Sequence, residues 1–167
     1  MAAKRLTLAK KVDKAATLLQ KLVRLKAADY RGMVTCVTCG HEARWNDGIQ
    51  GGHYISRTYL STKLLEKNVH PQCQRCNGFK GGNMSSYALF MLDMYGADFL
   101  QELEILKNTP KKYTHDEIDN IIRDLTEQVK ALEKEKGFCL DDLIDSVLMS
   151  SALVLSGYLI YIRYFGA

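Results

Sequence analysis

Two short cysteine pairs, Cys36-Val-Thr-Cys39 and Cys73-Gln-Arg-Cys76, flank Gly51-Gly52-His53, and the second pair runs directly into Asn77. Four thiolates in two C-x-x-C knuckles suit a tetrahedral zinc ion, so Cys36, Cys39, Cys73 and Cys76 are candidate structural zinc ligands. The competing reading is a set of free buried thiols. His53 offers an imidazole that titrates near neutral pH and can deprotonate water as a general base. A lone histidine is otherwise a hydrogen-bonded structural residue; the knuckles and Asn77 favour the catalytic role. The amide oxygen of Asn77 is a hard ligand suited to Mg2+ or Mn2+. A histidine base and a hard divalent cation are together what phosphodiester hydrolysis requires. The base makes the attacking hydroxide, and the cation stabilises the leaving 3′ oxygen.

Neighbouring residues fit around that pair. Gly51 and Gly52 would let a phosphate approach the backbone beside His53. Asn68 would brace the loop that carries His53 by bridging backbone groups. On an extended segment His70 would share a face with Asn68. It is then either a second ligand for the catalytic cation, a phosphate contact, or a packed histidine. Arg57, Lys63, Lys67, Arg75 and Lys80 are candidate DNA phosphate contacts, though each alone could be an ordinary surface charge. Cys139 falls outside the pattern and reads as an inert thiol.

These side chains need a scaffold. At 167 residues, 47% hydrophobic and 25% charged, the chain is one modest globular domain with extensions. Five cysteines in such a chain point to metal binding in a reducing compartment, not a disulfide framework. No secretory leader opens the sequence. The net charge of +4 is uneven, because residues 1–35 hold nine Lys or Arg against Asp13 and Asp29. That excess suits a polyanionic partner such as nucleic acid, or is a solvated helix face.

Periodicity divides the chain into four parts. Residues 1–29 hold a basic N-terminal helix, from Thr7 to about Ala28, with Val12, Ala15, Ala16, Leu19, Leu22, Val23 and Lys26 at helical spacing. Residues 30–83 read as a knuckle-and-hairpin module too small to hold together without a metal. Asp47-Gly48 would be its two-residue hairpin turn, and Cys73–Lys80 would start a helix. Residues 84–137 read as a helical extension: one helix broken at Gly96, then one opened by a Thr114/Glu117 capping box and closed by Gly137. Residues 138–167 contain 17 consecutive uncharged positions, 146–162, which are either a short membrane span or a buried or dimerising helix.

The stretches Cys36-Val-Thr-Cys39-Gly40, Gly52-His53-Tyr54, Asn68-Val-His70-Pro-Gln-Cys73-Gln-Arg-Cys76-Asn77 and Gly82-Asn83 with Tyr87 resemble the HNH, or ββα-metal, nuclease superfamily. Within it they are most similar to the lambda-type NinG/Rap phage recombination proteins, a likeness that continues to about residue 136. The resemblance implies an α+β fold: a zinc-braced ββα-metal module flanked by α-helices, here with an apolar C-terminal helix. It implies a structure-specific DNA endonuclease, an enzyme that cuts branched recombination intermediates such as Holliday junctions in the cytoplasm of a phage-infected bacterium. It assigns His53 as base, Asn68 as the bracing residue, Asn77 as ligand of a catalytic Mg2+ or Mn2+, and the four cysteines as ligands of structural zinc. Expected partners are branched or duplex DNA, a second copy of the chain, and phage recombination proteins. Many HNH sites carry an acidic ligand directly before the base. Gly52 stands there instead, which leaves His70 or the turn residue Asp47 to complete the site. The alternative is a non-catalytic zinc-ribbon adaptor that binds DNA or protein, membrane-tethered if residues 146–162 insert in lipid.

Overall fold

The computed structural model describes residues 6–137. Of these, residues 6–130 belong to one compact unit and residues 131–137 to a second. The fold is mixed α+β. In order come α1 (Leu8–Ala27), β1 (Met33–Thr35), β2 (Glu42–Arg44), β3 (Ile49–His53), the one-turn α2 (Leu60–Lys63), β4 (Val69–Cys73), α3 (Met84–Lys107) and α4 (His115–Glu135). A 3₁₀ turn at Glu66–Asn68 leads into β4, and a π-helical turn at Arg75–Phe79 leaves it. Cys139 and the apolar residues 146–162 lie outside the described residues. Among the described residues, no helix is long and apolar enough to cross a membrane.

Helix α1 forms where its periodicity places it. Thr7 caps it, with Oγ1 accepting from the Lys10 amide at 3.4 Å. The buried stripe is Val12, Ala15, Ala16, Leu19, Leu22 and Val23, continued by Leu25. Lys26 is not on that stripe: it points to solvent and pairs with Glu66 at 2.6 Å. Leu22 and Leu25 are fully buried, each stabilising the fold by about 2 kcal/mol. The stripe packs on a two-stranded antiparallel ribbon of β3 and β4, with Gly51 opposite Pro71, Gly52 opposite His70 and His53 opposite Val69.

The ribbon corrects the expected hairpin. Asp47-Gly48 joins β2 to β3, but these strands do not pair: β1 pairs with β2, and β3 with β4 across the 54–68 connection. The turn therefore passes the chain from one ribbon to the other. The helix expected at Cys73–Lys80 is also replaced, by a strand end and a π-helical turn closed by the Lys80 amide on the Arg75 carbonyl at 2.9 Å.

Gly51 and Gly52 have a packing reason of their own. A Cβ on Gly51 would stand 2.9 Å from the Gln20 backbone of α1, so its absence lets the helix lie directly on the strand. Gly51→Ala is expected to cost about 1–3 kcal/mol through overpacking. Chemical denaturation checks this, with Gly78→Ala as control, since a methyl there meets nothing within 4 Å.

Past the ribbon, Asn83 adopts a left-handed conformation (φ 47°) and starts α3, which kinks at Gly96 (φ 80°) as expected. Tyr87, Met91 and Leu103 of α3 form a buried cluster with Ile55. Helix α4 opens on the expected capping box: the Thr114 amide donates to Glu117 Oε2 at 2.7 Å, and the Glu117 amide to Thr114 Oγ1 at 3.2 Å.

Candidate metal centre and the cleft beside it

Cys36 and Cys39 come from the turn after β1, Cys73 from the end of β4, and Cys76 from the π-helical turn. Their four Sγ atoms lie within 4.8 Å of one another. Cys39 and Cys73 Sγ are 3.7 Å apart. Four sulfurs at about 2.3 Å from a tetrahedral zinc would stand about 3.8 Å from each other, so the donor set fits. Without a metal the thiols share their protons unevenly. Burial raises the Cys36 thiol, but hydrogen bonds from Thr38 and the backbone hold it below the usual thiol range, while Cys39 and Cys73 are pushed above it. The fit to a metal therefore rests on the sulfur geometry. The cluster could thus hold a structural metal such as zinc, tying both ribbons to the turn that carries Asn77.

On the other side of that turn lies an open cleft of about 770 Å³. Its wall includes Gln20 and Arg24 of α1, Gln50, Gly51 and His53 of β3, Arg57 after it, Asn77, and Gly81–Gly82. His53 and Asn77 therefore share one cleft. Among the described residues no carboxylate lines it, and Arg24 and Arg57 do.

The His53 ring is oriented by its backbone partner. Nε2 lies 3.1 Å from the Lys63 carbonyl, which can only accept, so Nε2 carries the proton. Nδ1 keeps its lone pair and has no hydrogen-bond partner among the described residues. Burial holds the His53 pKa below the usual histidine value, the Lys63 carbonyl opposes this, and the nearby charges of Arg57 and Lys63 reinforce it. The ring is consequently neutral at neutral pH. Asn77 is fixed in the same way. Its Nδ2 donates to Gln50 Oε1 at 2.6 Å, and its Oδ1 is left over.

Asn68 is wholly buried beneath the loop that follows His53. Its Oδ1 accepts from the Ile55 amide at 2.7 Å, and its Nδ2 donates to the Ile55 and Thr62 carbonyls at 3.0 Å. It is a positioning residue and does not enter the cleft.

Several other expected site residues lie elsewhere. His70 points away, into a second cleft, between Tyr87 and Tyr95. The single Tyr87 hydroxyl proton goes to the Gly52 carbonyl at 2.9 Å, so Tyr87 accepts from His70 Nδ1 at 3.0 Å. Nε2 then accepts from the Tyr95 hydroxyl at 2.9 Å. With both nitrogens used, His70 is a packed histidine and not a ligand of a cation near His53. Nor does it share a strand face with Asn68, which belongs to the 3₁₀ turn. Lys63 pairs with Asp13 at 2.7 Å. Lys67 sits over the Phe99 ring at 5.1 Å. Arg75 and Lys80 are exposed and do not line the cleft, and neither does Asp47. Of the five expected phosphate contacts, only Arg57 is in the wall.

Burial drives the His70 pKa down to about 4, against a small opposing pull from Glu66. An unfolded chain takes up this proton near pH 6.5, whereas the folded chain refuses it until about 4, so the associated stability is full above 6.5 and lost as pH falls to 4. The loss is on the order of 3 kcal/mol. Denaturant midpoints of the parent and of His70→Gln, compared across that window, should diverge by this amount.

Four wall or near-wall residues had no sequence signal. Gln20 and Arg24 lie one helical turn apart on α1 and became part of the cleft only through packing on β3. Arg24 donates through Nη1 to the Trp45 and Ile49 carbonyls at 2.9 and 3.2 Å. Gln50 and Gln72 face each other across the ribbon.

A protein-family model described as Bacteriophage Lambda NinG protein matches residues 2–135. The chain belongs to that family. It is 32% identical over 116 residues to Protein ninG of Salmonella phage P22, covering 66% of this chain and 48% of that protein. It is 29% identical over 106 residues to Protein ninG of Escherichia phage lambda, covering 60% and 48%. With Protein ninG of Escherichia phage 933W it shares 34% identity over 74 residues, 41% of this chain and 34% of that one. The chain spans about half the length of the first two relatives. No solved structure matches. The NinG match includes α1, both ribbons, the cysteine cluster and the cleft, and stops before residues 146–162.

Proposed function

We propose that this NinG-family chain is an HNH-type, metal-dependent endonuclease that cuts branched DNA such as Holliday junctions during phage recombination. The observation that carries the reading is the cleft: among the described residues, a neutral histidine with a free Nδ1 and an asparagine with a free Oδ1 share it with two arginines and no carboxylate. Such a wall suits a phosphodiester, which brings the negative charge the wall lacks.

The steps follow from the residues. Arg24 and Arg57 receive phosphates and orient the backbone of one strand. His53 Nδ1 takes a proton from water, and the oxygen attacks phosphorus in line. The new O–P bond forms as the bond from phosphorus to the 3′ oxygen breaks, leaving 5′-phosphate and 3′-hydroxyl ends. The Lys63 carbonyl steadies the imidazolium through Nε2–H. A bound Mg2+ or Mn2+ on Asn77 would neutralise the phosphate and the departing oxygen. Arg75 and Lys80, exposed beside the turn, suit phosphates further along the duplex.

The rival is a zinc-ribbon adaptor that binds DNA without cutting it. Incubation with linear, forked and four-way DNA, with Mg2+, with Mn2+ or with neither, separates the two. Nicks in branched DNA only when the cation is present support the endonuclease. Stable binding with every strand intact under all conditions supports the adaptor.

A further inference from the structure

Gln72 is 0% exposed, and its carboxamide is half satisfied. Nε2 donates to the Gly82 carbonyl at 2.7 Å and to Thr38 Oγ1 at 3.3 Å. The Gly82 carbonyl can only accept, so the amide nitrogen must face it and Oε1 faces the other way. There it is buried, with no hydrogen-bond partner among the described residues. An orphaned amide oxygen costs about 1–3 kcal/mol, so it calls for an explanation.

Its location supplies one. Oε1 lies 2.0 Å from the point a Cβ on Gly52 would occupy, and Asn77 Oδ1 lies 3.1 Å from that same point. Two unused amide oxygens thus converge on the place where the strand beside His53 has no side chain. Amide oxygens are hard ligands with no charge of their own.

We propose that Gln72 Oε1 and Asn77 Oδ1 together are the protein ligands of a divalent cation beside His53. Gln72, reaching across from β4, supplies from under Gly52 the oxygen that β3 does not. This deepens the endonuclease reading and rests on it. The two ligands are neutral and the wall holds two arginines, so a cation needs the DNA phosphate as its third partner. Cation binding is therefore coupled to DNA binding.

The test uses the full chain with its cysteines intact and Mn2+ as the probe. In the parent protein with a short duplex, Mn2+ should broaden the Gln72 and Asn77 side-chain amide signals in nuclear magnetic resonance at lower Mn2+ than it broadens those of Asn68. Free Mn2+, measured by electron paramagnetic resonance, should show binding at least tenfold tighter with DNA than without. Gln72→Met should lose that gain while keeping its thiolate-bound metal. Gly52→Asp combined with Gln72→Ala, which moves the oxygen donor onto β3, should bind Mn2+ more tightly than Gln72→Ala alone.

Sharp Gln72 signals at saturating Mn2+ in the parent overturn the proposal, and that measurement needs no variant to fold. They would mean that Oε1 is satisfied only by the Cα–H of Gly52. A double variant no better than Gln72→Ala overturns it equally. The endonuclease reading falls separately: nicking by His53→Ala at the parental rate would remove it whatever the Mn2+ data show.

Discussion

Cys76→Ser is expected to abolish stoichiometric zinc binding and to lower the melting temperature by more than any other single change to the chain. The reason is the small apolar content around the cluster. Strands β1 and β2 are three residues each, and of their side chains only Val34 is fully buried. Such a ribbon is marginal at best without help. Zinc on four thiolates is worth roughly 10–16 kcal/mol in small modules, comparable with the total stability of about 5–15 kcal/mol of a whole domain. Losing one sulfur forfeits much of that and leaves the other three thiols in contact. The effect should be local first. Helix α1 keeps its own cap and its stripe on β3 and β4, so helical circular dichroism should outlast the cluster. Amide exchange should open residues 33–48 and the turn at 75–82 before α1. Metal content by atomic emission, melting by calorimetry and exchange by mass spectrometry check the three parts. An unchanged melting temperature in Cys76→Ser would show that the thiols are merely packed.

The sequence exposed what is local and hid what is long-range. The knuckles were legible because zinc chemistry dictates cysteine spacing within a few residues. The α1 stripe and the α4 capping box were legible because both are set within two helical turns. The pairing of β3 with β4 was not. Gly51-Gly52 is poor strand sequence, and only its register against His70 and Pro71, fixed from above by α1, makes it one. Asp47-Gly48 has the sequence of a hairpin turn and yet joins two separate ribbons for the same reason. His70 failed for a related reason: its tyrosine partners sit on α3, whose approach no short pattern announces. The cleft residues divide the same way. His53 and Asn77 are marked by the motif, while Arg24, Gln50 and Gln72 became visible only when the helix and both strands were in place. Conversely, Lys63 and Lys67 looked like phosphate contacts only until Asp13 and Phe99 were found beside them.

The second large effect concerns His53. His53→Ala is expected to reduce nicking of branched DNA by about 10²–10⁴-fold, the range for a lost general base, equivalent to about 3–5 kcal/mol in the barrier. Its structural cost should be much smaller. The ring makes one neutral hydrogen bond, to the Lys63 carbonyl, worth about 1 kcal/mol, and His53 itself borders an open cleft, so water can enter where the ring is removed. Zinc content, melting temperature and junction affinity should therefore stay near parental values while the rate collapses. The pH profile supplies a second readout. The His53 pKa lies below the usual histidine value because burial and nearby cations disfavour the imidazolium. The parental rate should then rise with pH through a region below 6.5 and be flat at neutrality. His53→Gln can still donate to the Lys63 carbonyl but cannot take a proton from water. If it restores stability and not rate, the imidazole acts on water; if it restores both, the residue only shapes the loop, and the endonuclease reading loses its base.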